Sequence, residues 1–318
     1  MKTPLLTGHV VIIGPGAIGS CLAVRLALAE GGPRITLIDY RPDRAARLSA
    51  RPIRIHTPDG DLEARIPVRL RPEMPPDLVI LAVKAHVARA AAASAASWIG
   101  RAPILAIQNG LGAAEEVARA LPNATVITAV SYQAATLLAE GDVRHVANLP
   151  THLGYEGRPP DAAARAVADL LNRAGLPAAV EPDMTPIVWT KLLINAALNP
   201  TAALAGVANG EVALRPTLRA MAQAIAEEGA AVARAAGVRL PYDDLLEAVF
   251  RTARQSADNR CSMLQDLDAG KPTEIDYLNG ALVRIAETHG AAVPVNRAVT
   301  ALVKRIASAA GQRTNGSS

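Results

Sequence analysis

The hydrophobic positions change regime part-way along the chain. Up to residue 182, short apolar runs alternate with stretches of helical periodicity, and beyond it helical spacing persists alone. Val10, Val11, Ile12 and Ile13 form a continuous apolar run, the pattern of a strand buried on both faces of a parallel sheet. A helix follows with Leu22 and Leu26 on its apolar side, and a second run, Ile35, Thr36, Leu37 and Ile38, ends in Asp39. The same sheet is expected to continue through Ile53, Arg54 and Ile55, then through 77–84 and 102–110. Residues 125–155 are strand-rich, with a turn at Glu140, Gly141 and Asp142. The stretch 162–174 reads as a helix closed by Gly175, and Glu181 to Pro186 carries linker and helix-start chemistry. After it the spacing predicts helices over 189–200, 218–236, 242–269 and 277–289, the first of them stopped by Pro200.

The first strand runs straight into Gly14, Pro15, Gly16, Ala17, Ile18 and Gly19. A G-x-G-x-x-G pattern alone is a weak signal. Here it has a strand before it, a helix after it and an acidic residue, Asp39, 20 positions beyond Gly19. Gly14 permits the tight turn, Gly16 lets the backbone approach a pyrophosphate, and Gly19 allows close helix–strand packing, with the amides of Ala17 and Ile18 opening the helix toward the phosphates. The expectation is an α/β protein: an N-terminal Rossmann-type doubly wound parallel sheet over 1–182, an all-helical C-terminal domain over 183–310, and a disordered tail over 311–318. Asp39 can accept hydrogen bonds from both hydroxyls of an adenosine ribose and repels a 2′-phosphate, which favours NAD(H). Arg41 and Arg44 stand just beyond it and could turn toward such a phosphate.

Composition narrows the function further. At 318 residues the chain exceeds what one core usually serves, so two domains are the default. Half the residues are hydrophobic but only 3% are aromatic, which leaves few stacking platforms for bases. The net charge of +4 comes from dispersed arginines without a basic stripe, so nucleic acid is not an expected partner. The apolar region 78–107 is interrupted by Lys84, His86, Arg89 and Arg101, and no membrane association is expected. Cys21 and Cys261 lack metal-ligand spacing and suit a reducing, cytoplasmic setting; no metal is expected. Cys21 reads as a small buried hydrophobe.

Candidate chemistry gathers in the second half. Lys191, Asn195 and Asn199 are four residues apart and fall on one face of a helix that otherwise carries Leu192, Leu193, Ile194 and Leu198. A solvated face would normally carry Glu, Lys and Arg, not two asparagines of modest helix propensity. In the first half, Lys84 and Asn109 each lie just past the carboxyl end of a buried strand, where open α/β sheets bind their ligands. His145 and His152 are assigned structural roles.

Three further segments complete a pattern: Asn209, Gly210 and Glu211; Ser262, Met263, Leu264, Gln265 and Asp266; and Thr273, Glu274, Ile275, Asp276, Tyr277, Leu278, Asn279 and Gly280. With Lys191, Asn195 and Asn199 before them, they resemble the ketopantoate reductase family, from the glycine loop to about Pro294. The resemblance implies Lys191 as the catalytic lysine, Asn195 as a substrate contact, and Asn259 and Ser262 as contacts to the substrate hydroxyl and carboxylate. It further implies Glu274 as the acidic residue of the active site, and Asn109 and Lys84 as positions near the nicotinamide and the cofactor; Asn209 is a weaker match. Members of that family often carry an Arg just after the second strand for the 2′-phosphate of NADPH. This chain has Asp39 and Tyr40 there, so the family implies NADPH and Asp39 favours NADH.

Reducing a 2-oxo acid needs a hydride at C2 and a proton at the carbonyl oxygen, hence a positioned acid that also stabilises the developing alkoxide. Lys191 as an ammonium meets both needs, and Glu274 can hold it. The expected reaction is NAD(P)H-dependent reduction of 2-dehydropantoate to (R)-pantoate, a step toward pantothenate. Asn199, beside Pro200, is expected to end its helix. Two alternatives stay open: an NAD-dependent D-2-hydroxyacid dehydrogenase acting on branched or aromatic 2-oxo acids, and a non-catalytic dinucleotide-binding sensor. A homodimer is a further expectation, without a residue pattern to carry it.

Overall fold

The structure, a computed structural model, describes residues 8–241 and 244–315. It divides into two compact units. One comprises the described residues up to Gln108 together with Ala113–Thr185, and the other comprises Asn109–Gly112 and everything described from Pro186 onward.

The first unit begins β1 (His9–Ile13), α1 (Ala17–Leu28), β2 (Arg34–Ile38) and α2 (Pro42–Ser49). Three strands follow, β3 (Ile53–Thr57), β4 (Gly60–Ala64) and β5 (Val68–Arg69), and then β6 (Leu78–Leu81), α3 (Ala85–Ala95), β7 (Ile104–Ala106) and α4 (Ala113–Ala120). It closes with β8 (Val126–Ser131), β9 (Ala134–Ala139), β10 (Asp142–Ala147), β11 (Thr151–Gly154), α5 (Ala162–Arg173) and β12 (Ala178–Val180). The main sheet has the order β12-β11-β8-β7-β6-β1-β2-β5, and every neighbouring pair is parallel except β11 with β8. Alternate residues of β1 feed opposite cores: Val10 and Ile12 pack with α1 and α5, Val11 and Ile13 with α3 and α4. That division is the physical content of a doubly wound sheet, and it explains why β1 is apolar at every position.

Ile53, Arg54 and Ile55 do not continue this sheet, contrary to expectation. They belong to a second, four-stranded sheet of order β4-β3-β10-β9. The reason lies in their alternation. Ile53 and Ile55 are buried while Arg54 is exposed, the pattern of a strand with one dry face, whereas the parallel core strands are dry on both. This small sheet also packs on α1, so α1 is covered by both sheets over most of its length. Its buried residues, Gly19 to Val24 and Leu26, accordingly form no single stripe. Cys21 is a buried hydrophobe as expected, its thiol pushed up to about 12 by burial. His145 Nε2 donates to Gln133 Oε1 at 2.7 Å, and His152 Nδ1 lies 2.6 Å from Glu181 Oε1.

The second unit is helical: α6 (Thr185–Ala205), α7 (Asn209–Leu214), α8 (Pro216–Ala235), α9 (Leu245–Gln255), α10 (Ser262–Asp268), a 3-10 turn at Ile275–Tyr277, α11 (Asn279–His289) and α12 (Pro294–Asn315). Three expectations are corrected here. The helix expected over 242–269 is two helices, because Ser256 and Asn259 turn the backbone between them; Asn259 N donates to Ser256 O at 3.0 Å. Residues 242 and 243 lie outside the described residues. Of the tail expected to be disordered, 311–315 lie in α12, and 316–318 lie outside the described residues. Thirdly, α6 does not stop at Pro200 but runs on to Ala205. Pro200 cannot donate to the Ala196 carbonyl, and Asn279 Nδ2 donates there instead, at 3.0 Å. Asn199 is therefore an interior residue of the helix and not its end.

No helix among the described residues is long and apolar enough to cross a membrane. Among the described residues no group of three His, Cys, Asp or Glu is arranged to hold a metal ion.

Candidate active site

The glycine loop of the first unit is built as its sequence requires. Gly14 has φ +106, and a Cβ there would lie 2.8 Å from the Ala82 carbonyl oxygen, so the turn admits no side chain. Gly14 N donates to Ile38 O at 3.0 Å and ties the turn to β2. A Cβ on Gly19 would sit 2.0 Å from Gly14 O, which shows how closely α1 packs on the turn. Gly16 differs: a Cβ added there meets nothing within 4 Å. It is the N-cap of α1, with no side-chain cap and no acidic residue in the first turn. Ala17 and Ile18 thus begin a helix beside an open position, and helix-start amides there fit a pyrophosphate.

Asp39, at the end of β2, is buried at 2% exposure. Its carboxylate accepts from Arg41 N at 3.0 Å and from Arg44 Nη1 at 2.9 Å, and Arg44 Nη2 donates to Pro15 O in the glycine loop at 2.9 Å. Glu140 Oε1 lies 3.4 Å from Arg44 Nε, so one guanidinium faces two carboxylates. Lys84 occupies the N-cap of α3, just past β6.

In the second unit, α6 carries Lys191 and Asn195 half-buried and Asn199 buried. A narrow cleft is lined by Asn109, Asn199, Ser262, Met263, Asp266, Glu274 and Leu278. Asn109 reaches it because the segment Asn109–Gly112 is clamped to the 3-10 turn. Leu111 N donates to Tyr277 O at 2.9 Å, and Gly110, with φ +89, leaves only 2.1 Å between a would-be Cβ and that same oxygen. Asn109 Nδ2 donates to Glu274 Oε2 at 3.3 Å. Glu274 is buried at 6% exposure, one residue before the turn.

Burial drives the Lys191 ammonium down to about 8, and the Glu274 carboxylate opposes that shift. The result is an acid poised near neutrality and countered by a buried carboxylate. Burial also raises the Cys261 thiol, whose Sγ donates to Asn199 O at 3.4 Å.

The structure therefore brings Asn109, Ser262 and Glu274 to one cleft, with Lys191 under the influence of Glu274. Asn259 is not among the residues lining that cleft; its carbonyl accepts from Asn209 N at 3.0 Å. Asn209 itself donates from Nδ2 to Ser256 Oγ at 2.9 Å, which is a structural contact. Asn199, Asp266, Met263 and Leu278 line the cleft without having been singled out as site residues. For Asp266 a signal existed, since it follows Ser262 by four residues and shares its face of α10.

Residues 10–157 match the family model for ketopantoate reductase PanE/ApbA, and residues 183–307 match that for its C-terminal part. Over 299 residues the chain is 33% identical to a 2-dehydropantoate 2-reductase of Halobacterium salinarum, covering 93% of this chain and 98% of that one. The chain belongs to the ketopantoate reductase family. A family member of Shigella flexneri, also a 2-dehydropantoate 2-reductase, is 36% identical over 231 residues, 72% of this chain and 74% of that one. Among solved structures, a PanE/ApbA family ketopantoate reductase from Ralstonia eutropha superposes with a TM-score of 0.87 at 31% identity, covering 95% of this chain and 99% of that one. The fold is shared more widely. D-mandelate dehydrogenase, solved with NADH and anilino(oxo)acetate, gives a TM-score of 0.88 at 24% identity over 95% of this chain and 99% of that one. The ketopantoate reductase family is one of NAD(P)-dependent reductases that act on small keto acids, and the open helix start at Gly16 and the buried Asp39 of this chain fit such a dinucleotide.

Proposed function

We propose that this protein reduces 2-dehydropantoate to (R)-pantoate, a step toward pantothenate, with Lys191 as the general acid. The observation that carries the reading is the Lys191 ammonium, brought down to about 8 by burial and countered by Glu274. A group with a pKa near the working pH both holds its proton and gives it up readily. When bound, the dinucleotide supplies the hydride that C2 accepts. Lys191 stabilises the charge developing on the carbonyl oxygen and delivers the proton to it. Glu274, held by Asn109, keeps the ammonium charged and accepts from the substrate hydroxyl. Ser262 and Asn195 bind the substrate's polar groups without adding charge, and Asn259 is assigned the same role through the family resemblance.

We assign residues 1–182 to dinucleotide binding and 183–310 to substrate binding and catalysis. Gly14, Gly16, Ala17, Ile18 and Gly19 cradle the pyrophosphate, Asp39 takes the adenosine ribose, and Lys84 and Asn109 approach the cofactor farther along. NADH is the proposed coenzyme. The buried Asp39 carboxylate is an acceptor for ribose hydroxyls that would repel a 2′-phosphate, and Arg44, the cation nearest to it at 2.9 Å, is already engaged by it. A cytoplasmic setting accords with two free, buried thiols, and a homodimer is tested by sedimentation.

The deciding measurement is the initial rate of 2-dehydropantoate reduction with NADH and with NADPH, alongside Lys191→Ala. Unchanged turnover in that variant removes Lys191 from the acid role. Asp39 supports a second reading, an NAD-dependent D-2-hydroxyacid dehydrogenase; higher kcat/KM on branched or aromatic 2-oxo acids than on 2-dehydropantoate would establish it. Dinucleotide binding without turnover of any 2-oxo acid would point instead to a sensor.

A further inference from the structure

The backbone of α6 at Pro200 takes a donor from outside the helix. Pro200 directly follows Asn199, and its ring both lacks an N–H for the Ala196 carbonyl and crowds it. A buried carbonyl left without a donor is destabilising, because it has given up its hydrogen bonds to water. Water is excluded here, because α6 is buried continuously from Ala196 to Ala203. Asn279 supplies what is missing: its Nδ2 donates to Ala196 O at 3.0 Å and to Asn296 Oδ1 at 2.9 Å.

The polarity of this network is set by its members. Asn296 Nδ2 donates to Ile225 O at 3.2 Å and to Glu228 Oε2 at 2.8 Å, so only its Oδ1 is left to accept from Asn279. The Glu228 carboxylate also accepts from Val295 N and Asn296 N, both at 2.9 Å, at the start of α12. Asn279 and Asn296 are each 0% exposed. A continuous hydrogen-bonded chain therefore leads from α8 through α12 and α11 to the peptide that joins Asn195's neighbour, Ala196, to the rest of the helix. That peptide lies between Asn195 and Asn199 in sequence, on the buried flank of the helix that backs the Lys191 face.

We propose that Asn279 is a positioning residue for the reaction: it holds the Ala196 carbonyl in helical geometry across Pro200 and so keeps Lys191, Asn195 and Asn199 on one face. This rests on the reading of Lys191 as proton donor. The bond can be replaced from within the helix, because any residue with an N–H at position 200 can bond Ala196 O itself. Pro200→Ala should therefore make Asn279 dispensable.

The test compares wild type, Asn279→Ala, Pro200→Ala and the double variant for kcat, KM and thermal midpoint, with pantoate binding by calorimetry as a readout free of turnover. Misplacing reacting groups by about 1 Å can cost 100-fold, so Asn279→Ala is expected to lose about tenfold or more in kcat. Pro200→Ala should stay within about twofold of wild type, and the double variant should recover most of what Asn279→Ala lost. A double variant as slow as Asn279→Ala, or an Asn279→Ala enzyme with wild-type kcat and only a lower midpoint, overturns the inference. If Asn279→Ala does not fold, a soluble and active double variant supports the inference, and an insoluble one overturns it. A wild type that neither reduces the oxo acid nor binds pantoate sinks the proposed function and this inference with it, whereas an active wild type without rescue sinks the inference alone.

Discussion

Asn109 donates from Nδ2 to Glu274 Oε2 at 3.3 Å, so the carboxylate that acts on Lys191 is itself held by the Asn109–Gly112 segment. Glu274→Gln keeps the shape of the side chain and removes its charge. Burial then acts on Lys191 unopposed, the ammonium is further depleted at neutral pH, and kcat for reduction should fall by about tenfold or more. Asn109→Ala removes one bond to a charged group, worth about 1.5 kcal/mol, and should cost about tenfold in kcat/KM. Steady-state kinetics of both variants check this; a Glu274→Gln enzyme as fast as wild type would remove the carboxylate from the mechanism.

The pH profile follows from the same pair. Reduction requires the protonated form of Lys191, which is present below about 8 and lost above it. The rate of reduction should therefore fall on the alkaline side of about 8, while oxidation of the hydroxy acid, which needs the free amine, should rise there. Because Glu274 raises the lysine, Glu274→Gln should move the inflection to lower pH. Arginine does not titrate in this range, so any residual activity of Lys191→Arg should show no such limb. An inflection near 8 that persists in Lys191→Arg assigns it to another group.

What was legible in the sequence depended on how local its physical cause is. The run from Val10 to Ile13 identifies a two-faced strand because burial on both sides leaves no polar position, and the glycines identify themselves by the turn that only they allow. Ile53 and Ile55 were readable as a strand but not as members of another sheet, since pairing partners such as Val143 lie far along the chain. The passage of α6 through Pro200 was hidden for a similar reason: its missing donor, Asn279, is 83 residues from Ala196. That one remote bond turned Asn199 from a helix end into part of the cleft. Lys191, Ser262 and Glu274 stood out by their segment patterns, whereas the lining by Met263 and Leu278 looks like ordinary core until the helices are assembled.

Asp39 and Arg44 make cofactor choice testable. Asp39→Ala removes the ribose acceptor and leaves Arg44 free of its 2.9 Å ion pair. The ratio of kcat/KM with NADH to that with NADPH should drop by about tenfold or more, through loss on one side and gain on the other. Initial rates with both coenzymes settle it, and an unchanged ratio would show that Asp39 does not meet the ribose.

Gly16 and Gly19 separate binding from folding within one loop. Open space surrounds the position of a Gly16 Cβ, so Gly16→Ala should change the folding free energy by only about 0.5 kcal/mol while weakening NADH at least about tenfold. A Gly19 Cβ would press on Gly14 O at 2.0 Å, so Gly19→Ala should lower stability and cofactor affinity together. Denaturation midpoints beside NADH dissociation constants distinguish the two; wild-type affinity in Gly16→Ala would place the pyrophosphate elsewhere.

The second sheet carries a titratable clasp of its own. His56, on β3, has Nδ1 2.8 Å from Asp61 Oδ1 of β4 and Nε2 2.8 Å from Asp142 Oδ1 of β10. Both ring nitrogens face acceptors, so the imidazolium is the form that satisfies both, and hydrogen bonds to Asp61 and then Asp142 raise its pKa above 6.5. For a histidine raised on folding, the stabilisation is complete below the unfolded value and disappears as pH rises through the folded one. Wild-type denaturation midpoints should therefore decline from the acid side of 6.5 toward mildly alkaline pH by an amount that His56→Gln lacks, since glutamine does not titrate. Amide protection factors in β3, β4 and β10, taken relative to the intrinsic exchange rate at each pH, should fall over the same interval in wild type only. Parallel pH dependence in the two proteins would show that the clasp does not couple to folding.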